Sequence, residues 1–136
     1  MDARILLIAA AATGLVACET VDRPPEQRTA RQQHDYDRLL AGKVPGRAES
    51  CLPLNSAKNM TVIDADTILY RDGRTTYVNS PLGGCSSLGR PGYALVTRSS
   101  ISQMCRGDIA TVVDTTTGML AGSCSIGEFI PYRPAR

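Results

Sequence analysis

The chain has 136 residues, 15 basic and 13 acidic, with a formal net charge of +2, one Phe and no Trp. So few aromatics leave a small apolar core, and covalent staples should matter for a domain of this size. The single histidine, His34, falls in a polar N-terminal stretch outside the β-rich part, which excludes Ser-His-Asp and Cys-His arrangements within that part.

Residues 1–4 are a short polar segment, and residues 5–17 (ILLIAAAATGLVA) are a 13-residue apolar run. That length cannot cross a hydrocarbon core of ~30 Å as a helix and suits the apolar region of a secretory signal. The run ends in Leu15-Val16-Ala17-Cys18, which resembles the lipobox of bacterial lipoproteins, where a small residue precedes the cysteine that becomes the acylated mature N-terminus. An ordinary signal fits less well, because signal peptidase I prefers a small residue where Leu15 stands. The resemblance implies removal of residues 1–17, lipid on Cys18 and a protein anchored in the bacterial envelope, facing the periplasm. Glu19 leans the expectation toward the outer rather than the inner membrane.

With Cys18 assigned to lipid, Cys51, Cys85, Cys105 and Cys124 remain, and four cysteines in an oxidising compartment read as two disulfides. Three pairings are open. The expected one joins Cys51 to Cys124 and nests Cys85–Cys105 inside, clasping the ends of the domain and pinning the loop around Cys85. Zinc is disfavoured: the gaps of 33, 19 and 18 residues contain no C-x₂-C pair, and residues 51–136 lack histidine.

Residues 18–50 read as the lipid anchor and a charged tether. Residues 19–50 hold six acidic and six basic side chains, with prolines at Pro24, Pro25 and Pro45. Within this stretch, 26–40 has good helix formers and ends near Gly42, so a marginal helix is expected in an otherwise solvated spacer spanning ~30 Å. Residues 51–136 read as a small all-β domain, a disulfide-stapled barrel or sandwich of six to seven short strands. The strands fall at 60–64, 67–71, 74–79, 93–97, 109–114, 119–124 and 126–132, the last confined to an edge by Pro131. Asp72-Gly73 predicts a type I′ hairpin with Arg71 opposite Arg74 and Tyr70 opposite Thr75. Ile68, Tyr70 and Tyr77 then share the core face. The Gly/Pro/Ser stretch 80–92 is longer than most hairpin connections, so it is either tied down or functional.

No catalytic constellation emerges. Asp64-Ala65-Asp66 lacks the further ligands of a calcium loop and suits a turn between strands. Arg106-Gly107-Asp108 reads as a tight turn, and the glycines of 82–92 match no phosphate-binding pattern. Among the domain's eight basic and six acidic residues, Arg71, Arg74 and Arg90 are the candidate binding residues. Arg71, Arg74 and Arg98 could gather on one face beside the hairpin as an anion or glycan site, but solvated strand faces are the favoured reading. No metal, cofactor or nucleic acid is expected.

Cys51-Leu52-Pro53-Leu54, Ile63-Asp64, Thr67-Ile68-Leu69, Tyr77-Val78-Asn79, Cys85, Cys105 with Gly107-Asp108, and Cys124 with Gly127-Glu128-Phe129 form a pattern over the folded part. It resembles a family of small uncharacterised proteobacterial proteins, the DUF6491-like domain of unknown function. The resemblance implies a fold and an envelope location and brings no activity. The expectation is therefore a non-enzymatic envelope lipoprotein that binds another envelope component as accessory, scaffold or sensor. One alternative is an inhibitor that inserts loop 80–92 into a periplasmic hydrolase. Another is a hydrolase pairing Asp64 or Asp66 with Glu128.

Overall fold

The computed structural model describes residues 27–136, so the expected signal segment 1–17 and Cys18 lie outside the described residues. Among the described residues one α-helix, α1 (Ala30–Leu40), precedes ten strands: β1 (Lys43–Pro45), β2 (Cys51–Pro53), β3 (Met60–Asp64), β4 (Thr67–Asp72), β5 (Thr75–Asn79), β6 (Tyr93–Thr97), β7 (Gln103–Cys105), β8 (Ile109–Asp114), β9 (Leu120–Ser125) and β10 (Phe129–Pro134). A 3-10 turn at Ser56–Lys58 lies between β2 and β3. They form an antiparallel five-stranded sheet in the order β1-β10-β5-β4-β3, a three-stranded sheet β6-β8-β9 and a ribbon β2-β7. The fold is β-rich and disulfide-stapled, and it is not a closed barrel.

The β4–β5 hairpin shows how register and face are set separately. Asp72 pairs with Thr75 and Tyr70 with Tyr77, so the two-residue turn is Gly73-Arg74 rather than Asp72-Gly73. Only Gly73 takes a positive φ there (57°), the type II′ requirement of glycine at the first turn position. Each pairing therefore moves by two residues from the expected one. Such a move preserves sidedness, because side chains alternate with period two. Ile68 and Tyr70 are fully buried in the main core, with Tyr77 packed against it.

That core also holds Leu52, Leu88, Met104, Val112, Ile126 and Phe129, with the Tyr70 and Phe129 rings edge to face at 5.9 Å. The disulfides cross it in an arrangement other than the nested one. Cys51 bonds Cys105 and Cys85 bonds Cys124, so each bridge closes a loop containing one cysteine of the other. Non-local pairing explains the choice: β2 lies antiparallel to β7 with Cys51 directly opposite Cys105. The 80–92 segment instead reaches β9, where Leu82 bridges Ser125.

The stretch 28–50 is not a spacer. Thr29 Oγ1 accepts from the Gln32 amide, and Gln32 Oε1 accepts from the Thr29 amide, a reciprocal capping box that starts α1. Tyr36, Leu39 and Leu40 of the helix then pack on Ile63, Leu69 and Val78, on the sheet face away from the main core. After Gly42 the chain joins the sheet as β1 against β10. The folded unit thus begins well before residue 51. With Leu69 and Val78 facing outward between β3 and β10, an uncovered sheet would expose both to water, each costing ~1.5–3 kcal/mol.

β10 is flanked by β1 and β5, so Pro131 is not on an outer strand. Its missing N–H is accommodated locally. Phe129 exchanges both backbone bonds with Glu49, the Pro131 carbonyl accepts from Gly46, and residues 46–48 leave the ladder between those points.

Candidate functional site

The carboxylates considered for catalysis are held in structural bonds. Asp64, buried at the end of β3, accepts from Arg28 Nε at 2.7 Å through one oxygen and from the Asp66 amide at 2.8 Å through the other. Arg28 also donates to Thr67 Oγ1 at 2.6 Å, and its guanidinium lies 4.2 Å from the centre of the Tyr36 ring. This one side chain ties the segment before α1 to the β3–β4 turn. Glu128 is paired instead with Arg106 at 3.0 Å on the surface. The turn that carries it is held by buried Asn79, which donates to the Gly127 and Glu128 carbonyls. Asp64 and Asp66 are thus brought together, while Glu128 is committed to another arginine. Among the described residues, no cluster of three His, Cys, Asp or Glu side chains is placed to hold a metal.

The 80–92 segment is tied down rather than protruding. Pro81, Cys85 and Leu88 are buried, and the Cys85 amide donates to the Ala65 carbonyl at 2.7 Å. Two glycines are required by close approach: a Cβ on Gly89 would lie 3.0 Å from Asp64 Cα, and one on Gly84 would strike the Asp66 carboxylate. Besides Ser80, Leu82, Gly83 and Ser86, the segment leaves Gly89-Arg90-Pro91-Gly92 at the surface, and Arg90 is its one charged residue.

The three candidate arginines do not share one depression. Arg74 sits exposed in the hairpin turn, while Arg71 and Arg90 border two different depressions beside α1. The first, about 340 Å³, lies between the helix and β3–β5, with Arg38, Arg71, Thr61 and Thr76 around Leu39 and Leu69. Lys43, unremarked in the sequence, donates to Thr76 Oγ1 at 2.6 Å and to the Leu39 carbonyl at 3.2 Å. Partial burial and then the nearby Arg71 hold the Lys43 ammonium pKa below the ordinary lysine value.

The second depression, about 530 Å³, is walled by Arg31 and Asp35 of the helix, Val62 of β3, and Arg90, Pro91 and Tyr93. A third, about 190 Å³, follows along the same two strands, between Met60 of β3 and Leu95 and Thr97 of β6, with Tyr70 and Met104 at its floor and Lys58 beside it. Tyr70 is 1% exposed, and its hydroxyl has no hydrogen-bond partner among the described residues. Burial pushes that phenol well above its ordinary pKa, so it stays a neutral donor.

Residues missed by sequence reasoning, Arg28, Lys43 and Asn79, act through partners 33 or more positions away. The signal that points to the helix-side residues is the apolar pair Leu69 and Val78 on the second face of the hairpin, since a sheet apolar on both faces must be covered twice. No family model, curated protein or solved structure matches this chain.

Proposed function

We propose that the protein is a lipid-anchored envelope lipoprotein whose disulfide-stapled β module binds another envelope component without catalysing a reaction. The observation that carries this reading is the pair of depressions flanking α1, where Arg71 and Arg90 border concave surfaces on a scaffold whose named carboxylates are already bonded. Two crossed disulfides and a docked helix hold those surfaces in shape, which lowers the ordering cost of binding. The compartment rests on the lipobox-like Leu15–Cys18 and on the four remaining cysteines being paired, and outer-membrane residence on Glu19. The resemblance to the DUF6491-like family fits the same location.

Photocrosslinking in cells tests the binding role. A photoreactive side chain at position 90 or 71 of the full-length lipoprotein should yield one dominant envelope adduct, absent when the same side chain is placed at Thr116 in the β8–β9 turn. Equal, diffuse labelling from all three positions would overturn it. Incorporation of a palmitate analogue, lost in Cys18→Ala, checks the anchor.

A further inference from the structure

Resting on the reading of the protein as a binding module, we propose that an extended, acidic peptide segment of the partner adds as a strand to the open edge of β3, lying in the seam between β3 and β6. Among the described residues both strands are sheet edges: β3 pairs only with β4, and β6 only with β8. The parity of their ladders shows which backbone groups face the seam. The Arg71 amide donates to the Asn59 carbonyl, so the bonded positions facing β4 are Asn59 and Thr61, and the N–H and C=O groups of Met60 and Val62 point away from it. Likewise the Thr115 amide donates to the Gly92 carbonyl, so Ala94 and Val96 bond toward β8 while Tyr93, Leu95 and Thr97 present their backbone groups outward.

The two cavities between these edges succeed one another along them, Met60 with Leu95 and Thr97 in one, Val62 with Tyr93 in the next. An exposed edge is a template for another strand, and native edges are usually blunted by proline or charge. Met60, Thr61 and Val62 carry neither. A strand antiparallel to β3 would form four backbone bonds with Met60 and Val62.

The buried Tyr70 hydroxyl marks the seam as a site. It is an unpartnered donor on a side chain that lines the cavity floor, and a peptide carbonyl or side-chain oxygen entering there would accept from it. Charge selects the occupant. Arg31 and Arg90 stand over the wider cavity and Lys58 at the narrower one, against one carboxylate, Asp35, that is already paired with Arg38. Because side chains on an added strand alternate, the fitting sequence alternates acidic residues toward α1 with small apolar residues toward Leu95 and Met104.

The test uses three fluorescein-labelled decapeptides and the full-length lipoprotein in detergent micelles: alternating Glu-Val, alternating Lys-Val, and Glu-Val N-methylated at the residues that would bond β3. Anisotropy should show saturable binding of the Glu-Val peptide, with both others weaker by about tenfold or more. The surface double variant Arg31→Glu, Arg90→Glu should invert the charge preference, and neither change touches the core. Equal binding of the N-methylated peptide would exclude strand addition, and equal binding of the two charge types would exclude an acidic partner. If position 90 yields a cellular adduct but no peptide saturates, the seam falls and the binding module stands. If neither is seen, both fall.

Discussion

Ile68 and Leu69 are neighbours on one strand, both almost fully buried, and they face environments built by different means. Ile68 enters a core closed by a second sheet and by the Cys85–Cys124 bridge. Leu69 lies under a helix whose own contact residues, Tyr36, Leu39 and Leu40, are only partly buried. That helix is fastened by a cap, by Lys43 beyond it, and by Arg28 on Asp64. The comparison teaches that a strand can be saturated with apolar contacts on both sides and still have one face that yields more readily than the other. Local opening free energies differ across a structure in this way, and cover held by few contacts opens first.

The largest expected effect comes from the rigid side. Replacing the buried bridge with Cys85→Ala and Cys124→Ala should lower stability by about 3–4 kcal/mol, the size expected for closing a loop of this length. Denaturant unfolding of the oxidised and double-alanine proteins measures it. A loss below about 1 kcal/mol would mean that packing alone holds the 80–92 segment to β9, and the contrast between the faces would weaken.

Next come the two neighbours themselves. Ile68→Ala should cost about 3 kcal/mol, because the cross-linked core cannot relax into the space left behind, and Leu69→Ala about 2 kcal/mol, because α1 can settle toward the sheet. Equal losses would show that the helix is as firmly seated as the second sheet.

A smaller effect sharpens the comparison at the clasp. Asp64→Asn keeps an acceptor for the Asp66 amide but leaves the Arg28 guanidinium, about a quarter exposed, without its counter-charge. The expected cost is about 1–3 kcal/mol, reduced from the value for a fully buried pair because water reaches Arg28. Hydrogen exchange should accelerate in α1 more than in β8. Uniform acceleration would instead place Asp64 in the global fold rather than in the docking of the helix.

The same contrast governs what could be read in advance. The long strands were legible from β-branched runs and turn residues: 60–64, 93–97 and 109–114 fall where β3, β6 and β8 lie. The core face of the hairpin was legible too, because a two-residue move in pairing leaves sidedness intact. β2 (CLP) and β7 (QMC) carry no β-branched residue and exist because each finds the other across more than 40 positions. The disulfide pairing follows from that contact, so it was hidden along with it. The docked helix depends on Arg28 meeting Asp64 and on Leu39 meeting Leu69, again contacts that local propensity does not encode. At the candidate site, Arg71 and Arg90 stand out in the sequence as candidates, and each borders a depression beside α1. The seam between β3 and β6 does not stand out there, since it arises from the positions of two sheet edges.

The smallest effect belongs to the turn joining β8 to β9, where charge is held chiefly by backbone amides. Asp114 Oδ1 accepts from the Thr117 and Thr116 amides, and these bonds hold its carboxyl below the ordinary 3.8. A carboxylate with a lowered folded pKa contributes stability that is present above the unfolded value and is lost as pH falls through the folded one. Asp114→Asn keeps a neutral acceptor, so the variant should be slightly less stable than the parent at pH 7, and the gap should close as pH falls below about 4. Thermal melts of both proteins from pH 7 down to pH 2.5 measure that convergence. A gap independent of pH would assign the loss to altered turn geometry, whereas convergence assigns it to ionised Asp114 organising the turn, a local contribution on the rigid side that involves neither the bridge nor the core.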